Sequence, residues 1–293
     1  MNKTAASRAV AVVVFAIGVT CISSGSIFVR VADAPAIVKS AYRVGISALV
    51  FASVSLVFYR REYACMTKKD FALSALSGVF LALHFATWIA SLDYTSVASS
   101  VMLVGTIPIW VAIFNVVLGI TRPSRMMWFC VCLSVAGACI VGYGDISLDG
   151  NVLFGDVLAV AGAIAAAAYI MCGKEARKKL GMVSYVTLCY GSAAIVIWCA
   201  VLALGYPITG YDAATWRAFF GLALLSQVMG HTSYNWALGH FSSAFVGIML
   251  LGEPLGSAVL AYYLFNEVPA PIKFVGFALL LASIVLAARD ESR

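Results

Sequence analysis

Residues 183–204 read VSYVTLCYGSAAIVIWCAVLAL, a continuous apolar run without one charged side chain. Wound as a helix at about 1.5 Å per residue, it matches the roughly 30 Å hydrocarbon core of a bilayer. Working outward, similar runs lie near 9–30, 35–59, 71–91, 97–120, 126–142, 153–173, 214–237, 242–265 and 270–288, which predicts about ten transmembrane helices. Lipid offers backbone N–H and C=O groups no partner, so the spans must satisfy themselves as helices. The fold class expected is therefore an all-α, polytopic membrane protein. Composition agrees, with 63% of residues apolar and 11% charged. A soluble domain carries charge at about 25% of positions.

The net charge of +6 raises the question of nucleic acid. Placement of the basic residues answers it. With the N-terminus inside, the cytoplasmic set is Lys3, Arg8, Arg60, Arg61, Lys68, Lys69, Arg122, Arg125, Lys174, Arg177, Lys178, Lys179, Arg289 and Arg293. The outer ends hold Arg30, Lys39, Arg217 and Lys273, and Arg43 falls inside the second span. This asymmetry places both termini in the cytoplasm and predicts the cytoplasmic (inner) membrane, with no nucleic-acid partner. Seven of the eight cysteines lie in apolar stretches with no CxxC pair, so neither disulfide nor metal is expected.

The chain divides near residue 147. A shift of 146 residues pairs Pro108 with Pro254 and Pro123 with Pro269, and Ser96 with Ser242. Five spans per half is an odd number, so the second half enters the membrane from the opposite side. The expectation is two inverted five-helix repeats, 1–147 and 148–293, a signature of alternating-access carriers.

The order of motifs resembles the drug/metabolite transporter superfamily, in its ten-helix EamA-type branch. The residues that carry the resemblance are Ser26-Ile27-Phe28-Val29-Arg30 closing span one, Ala41-Tyr42-Arg43 opening span two, and Tyr94-Thr95-Ser96-Val97-Ala98 before span four. Tyr169 and Lys174 end span six; Leu251-Gly252-Glu253-Pro254 and Phe265-Asn266-Glu267-Val268-Pro269 follow later. One recurring acidic position departs from the pattern: the first-half counterpart of Glu267 is Thr121. The resemblance implies an integral membrane carrier of small metabolites, with two halves around a central cavity and no catalytic residue or cofactor.

Polar side chains at bilayer depth are costly and call for a reason. Glu253 sits near the middle of span nine, beside Pro254, and is the candidate for proton coupling. His84 and Trp88 share one face of span three at a spacing of four. Gln227, His231 and Asn235 share a face of span eight at the same spacing. His231 is one residue from the image of His84, which suggests two histidines on a shared cavity, where they could relay protons or bond a carboxylate; the alternative for each is a neutral histidine tied to a backbone carbonyl. Arg43, about two turns into span two, is a candidate for a substrate carboxylate, for a structural ion pair or for snorkelling. The predicted substrate-binding set is thus His84, Trp88, Gln227, His231, Asn235, Glu253 and Arg43. Partners expected are a small-molecule substrate, the lipid bilayer and protons, with the chain a monomer or homodimer.

A membrane-embedded enzyme, or a scaffold without transport, is the rival class. Gly142-Tyr143-Gly144-Asp145 matches the GxGD string of intramembrane aspartyl proteases, and Tyr211-Asp212 supplies a YD pair. The order is reversed and both aspartates fall in predicted outer loops, which argues for turns instead.

Overall fold

The computed structural model describes residues 3–95, 100, 103–142, 150–266 and 270–291. Every element among them is helical: α1 (Lys3–Val31), α2 (Ala36–Phe58), α3 (Arg60–Ala64), α4 (Lys68–Ser91), α5 (Ile107–Val117), α6 (Arg125–Gly142), α7 (Gly150–Ala176), α8 (Met182–Ala203) and α9 (Ala213–Gly221), then a π-helix (Leu222–His231), α10 (Thr232–Ala237), α11 (Ser243–Met249), α12 (Gly252–Phe265) and α13 (Pro271–Glu291). By length and composition, seven stretches among the described residues can cross a membrane, and two shorter apolar helices accompany them. Helical residues occur in all ten predicted runs. Spans eight and nine are segmented: 213–237 changes winding twice, and 243–265 is interrupted at Leu250–Leu251.

The outer surface carries Leu49, Leu56, Phe58, Val117, Ile195, Leu202, Tyr263 and Phe274, all well exposed. Such a surface would aggregate in water and is at home in lipid. Inside, small residues let the helices close up. Ser40, Ser47, Ser55, Ser74 and Ser77 are buried; the hydroxyl of Ser55 meets that of Tyr63, and the others donate to backbone carbonyls. Ser47 Oγ reaches both the Arg43 carbonyl (2.7 Å) and the Ala223 carbonyl (3.0 Å), tying α2 to the π-helix.

Packing repeats between the halves. α4 lies along α7, and the run from α9 to α10 lies along α1. α5 packs on α7 as α12 packs on α1, and α4 meets α8 as the π-helix meets α2. α2 pairs with α8, and α6 with α13. Exchanging these elements for their counterparts 146 residues away reproduces the pairings just given. The paired prolines share a local role too. Chain turns at residues 105–106 precede Pro108 at the start of α5, and turns at 250–251 precede Pro254 in the first turn of α12. Proline fits there because the first helical N–H groups have no intrahelical acceptor to lose. Pro123 is described, whereas Pro269, Glu267 and the Ser96–Ala98 motif lie outside the described residues.

Candidate functional site

Arg43 decides where the site lies. The side chain is 2% exposed, and its Nε donates to Gln227 Oε1 at 2.7 Å. Its guanidinium carbon sits 4.3 Å from the centre of the Phe85 ring, a cation–π contact that fixes the plane of the group. Gly25 on α1 lies alongside: a Cβ there would sit 3.3 Å from Ser226 Oγ and 4.0 Å from Arg43 Nη1. Beyond Nε, the guanidinium makes no hydrogen bond among the described residues. Glu253 is within electrostatic reach but forms no ion pair with it. So Arg43 neither snorkels nor enters a structural salt bridge, two of the three roles its sequence position allowed.

Gln227 lies in the π-helix, a winding that is rare and concentrated at functional positions. This changes the face expected from α-helical spacing. In the wider helix the residue five positions on returns over the start, and Thr232 Oγ1 bonds the Gln227 carbonyl at 3.2 Å. Thr232 Oγ1 also meets the Tyr190 hydroxyl at 3.1 Å. The Tyr190 hydroxyl accepts from Asn235 Nδ2 at 3.0 Å, and Asn235 Oδ1 accepts from the Tyr169 hydroxyl at 2.5 Å. Asn235 is therefore fully buried and held from both ends by tyrosines of α7 and α8.

His84 and Trp88 stack as their spacing predicted, centroids 5.9 Å apart and planes within 4°. His84 Nδ1 donates to the Gly162 carbonyl at 3.0 Å, which fixes the proton on that nitrogen. His231 and His84 both pack on Phe85, at 5.4 and 5.1 Å, and no hydrogen bond joins them. Glu253 sits in the first turn of α12, partly exposed, and its carboxylate accepts no hydrogen bond among the described residues. Its backbone carbonyl accepts from Ser23 Oγ at 3.2 Å.

Among the described residues, three buried side-chain atoms have no hydrogen-bond partner: Trp88 Nε1, Gln227 Nε2 and His231 Nδ1. Gln227 Nε2 lies beside the Tyr190 hydroxyl without reaching bonding geometry. Native interiors leave few polar atoms in this condition, because each costs the hydration it lost. Here all three belong to residues singled out by their depth in the membrane. The sequence reading missed Phe85, Tyr190 and Thr232. Phe85 looks like any other aromatic in an apolar run, and only its position against Arg43 sets it apart.

The rival enzyme reading loses one half of its pair. Asp212 is the N-cap of α9, accepting from the Thr215 amide at 2.7 Å. The other aspartate, Asp145, lies outside the described residues.

Comparison with known proteins follows the same architecture. The model of the EamA-like transporter family matches residues 9–143 and again 153–289. The chain belongs to the EamA-like transporter family. The two matches are the two repeats seen in the packing, so this EamA-like transporter is a multi-pass membrane protein. It is 27% identical over 242 residues to an uncharacterised transporter of Archaeoglobus fulgidus, covering 80% of this chain and 82% of that protein. A second uncharacterised transporter of the same organism is 24% identical over 214 residues, covering 72% and 74%. A solved crystal structure superposes with a TM-score of 0.80 at 13% identity, covering 97% of this chain and 98% of the other, which is a likeness of fold.

Proposed function

We propose that this EamA-like transporter is a secondary carrier of a small organic metabolite, an amino acid or related compound, working by alternating access in the cytoplasmic membrane. The halves 1–147 and 148–293 move against each other, and substrate binds between them at mid-membrane. The observation that carries this reading is the set of buried, unpaired polar atoms on Gln227 and His231 near the buried Arg43, and on Trp88 stacked against His84. A protein that needed these groups only for stability would have paired them. A site that binds and releases a polar solute keeps them available.

Trp88 supplies an aromatic wall and Asn235 holds the tyrosine pair that shapes the floor. Trp88→Ala is expected to raise the KM for transport with purified yield close to wild type, and Asn235→Ala to raise it while lowering the melting temperature, because the buried Tyr169 hydroxyl loses its acceptor. Initial rates in proteoliposomes over a range of substrate concentration check this. Unchanged kinetics in both variants would move the site elsewhere.

Both termini face the cytoplasm in this reading. A Lys178→Cys variant with Cys65→Ser is then expected to react with an impermeant maleimide only after the cells are opened. Labelling in sealed cells from outside would reverse the topology.

A further inference from the structure

We propose that Arg43 and Gln227 form a receptor for a carboxylate on the transported molecule. The inference rests on the carrier reading above and names the chemical class of its cargo.

An arginine placed only to brace two helices would be expected to spend its donors. Arg43 spends one. Nε bonds Gln227 Oε1, while both terminal nitrogens lack an acceptor among the described residues. A guanidinium presents these N–H groups as a planar fork whose spacing matches the two oxygens of a carboxylate. Phe85 beneath and Gln227 at the side hold that fork in one plane before any ligand arrives. The bond from Nε also decides the amide's orientation. With Oε1 committed to Arg43, Nε2 becomes a further donor, and it is unbonded. His231 Nδ1, on a ring that packs edge-on against Phe85, is unbonded as well. The unsatisfied groups nearest the guanidinium are thus able to donate, the complement of an anion.

Charge narrows the class. Arg43 lies deeper in its span than the outer-end cations Arg30, Lys39, Arg217 and Lys273, and no second cation is among the groups acting on it. One positive charge suits a monoanion. A phosphate dianion would leave one charge uncompensated in an apolar surround. Glu253 faces the same guanidinium from α12 without bonding it, so the fork is open to an incoming carboxylate.

The test uses purified full-length protein and matched sets of acid, methyl ester and primary amine built on propyl, phenylpropyl and indolylethyl chains. Shifts in melting temperature give the affinities. At least one acid is expected to bind roughly tenfold or more tightly than its ester, the size of one charge-assisted hydrogen bond. Gln227→Glu is expected to fold as well as wild type, because it gives Arg43 a carboxylate of its own. It should lose the acid preference for the same reason, since a carboxylate at 227 neutralises Arg43 and replaces the Nε2 donor with an acceptor. Arg43→Gln should bind acid and ester alike. Equal binding of acid and ester by wild type, a preference for amines, stabilisation by none of the sets, or a Gln227→Glu variant that keeps the acid preference would each overturn the proposal. Counterflow of the labelled acid separates the two levels. Binding without exchange leaves the receptor and removes the carrier, whereas exchange of ester and acid at equal rates leaves the carrier and removes the receptor.

Discussion

Glu253→Gln should abolish accumulation driven by a pH gradient while substrate exchange without a gradient continues. Glu253 is an acid at membrane depth, in the first turn of a helix that starts at a mid-span break. That position is charged territory in two respects: the first turn of a helix attracts negative charge, and Arg43 lies within electrostatic reach. The carboxylate has no hydrogen bond among the described residues, so it can gain or lose a proton without breaking a structural one. Glutamine keeps the shape and loses the titration. Uptake into proteoliposomes under an imposed pH gradient, inside acid and inside alkaline, is the measurement. An equally active variant would make Glu253 a structural residue. Wild-type accumulation that ignores the gradient would end the proton hypothesis whatever the variant does. The two proposals about Arg43 and Glu253 also balance charge: one carboxylate at the arginine and one proton on the glutamate leave the site's net charge unchanged.

Gly78→Val should remove the folded protein. α4 crosses α8 at Gly78 so closely that an added Cβ would fall on the Cys189 carbonyl oxygen and the Ser192 hydroxyl, with the Cys189 carbonyl carbon 2.9 Å away. Ser192 is itself held to the Ala75 carbonyl at 2.9 Å, so it cannot step aside freely. Overpacking against side chains that can rotate costs about 1–3 kcal/mol. Here the obstacle is backbone, and the helices must separate. That crossing anchors the span bearing His84, Phe85 and Trp88. A control lies on the facing helix: a Cβ at Gly191 would meet nothing within 4 Å. Gly191→Ala should therefore behave as wild type in yield and melting temperature, while Gly78→Val yields no monodisperse protein. Normal yield and stability of Gly78→Val would mean that α4 and α8 do not cross there.

Much of this was legible in the residues because the bilayer leaves a sequence few choices. An apolar run of about twenty residues has to be a helix, and any polar side chain inside one stands out against its neighbours. Arg43, Gln227, His231 and Asn235 were visible for that reason, and all four are buried. Pro108 and Pro254 marked the two mid-span interruptions. What the residues did not reveal was winding. Leu222–His231 has no composition that separates a π-helix from an α-helix, yet the change brings Thr232 rather than His231 back over Gln227. Nor could sequence choose among 17 phenylalanines the one that lies under Arg43. His84 shows a further limit: its depth left a cavity role and a backbone-carbonyl partner both open, and the structure ties its Nδ1 to a carbonyl of α7. Partners of that kind come from helix crossings, which no local pattern encodes.

The central claim is that this chain carries a small molecule across a bilayer unchanged, and counterflow tests it most directly. Purified protein is reconstituted into liposomes preloaded with an unlabelled solute that raises its melting temperature, and the same solute is added outside in labelled form. A carrier gives a transient excess of label inside, absent from protein-free liposomes, and the label is recovered as the same compound. No excess with any stabilising solute, or label recovered as a different compound, would contradict the account.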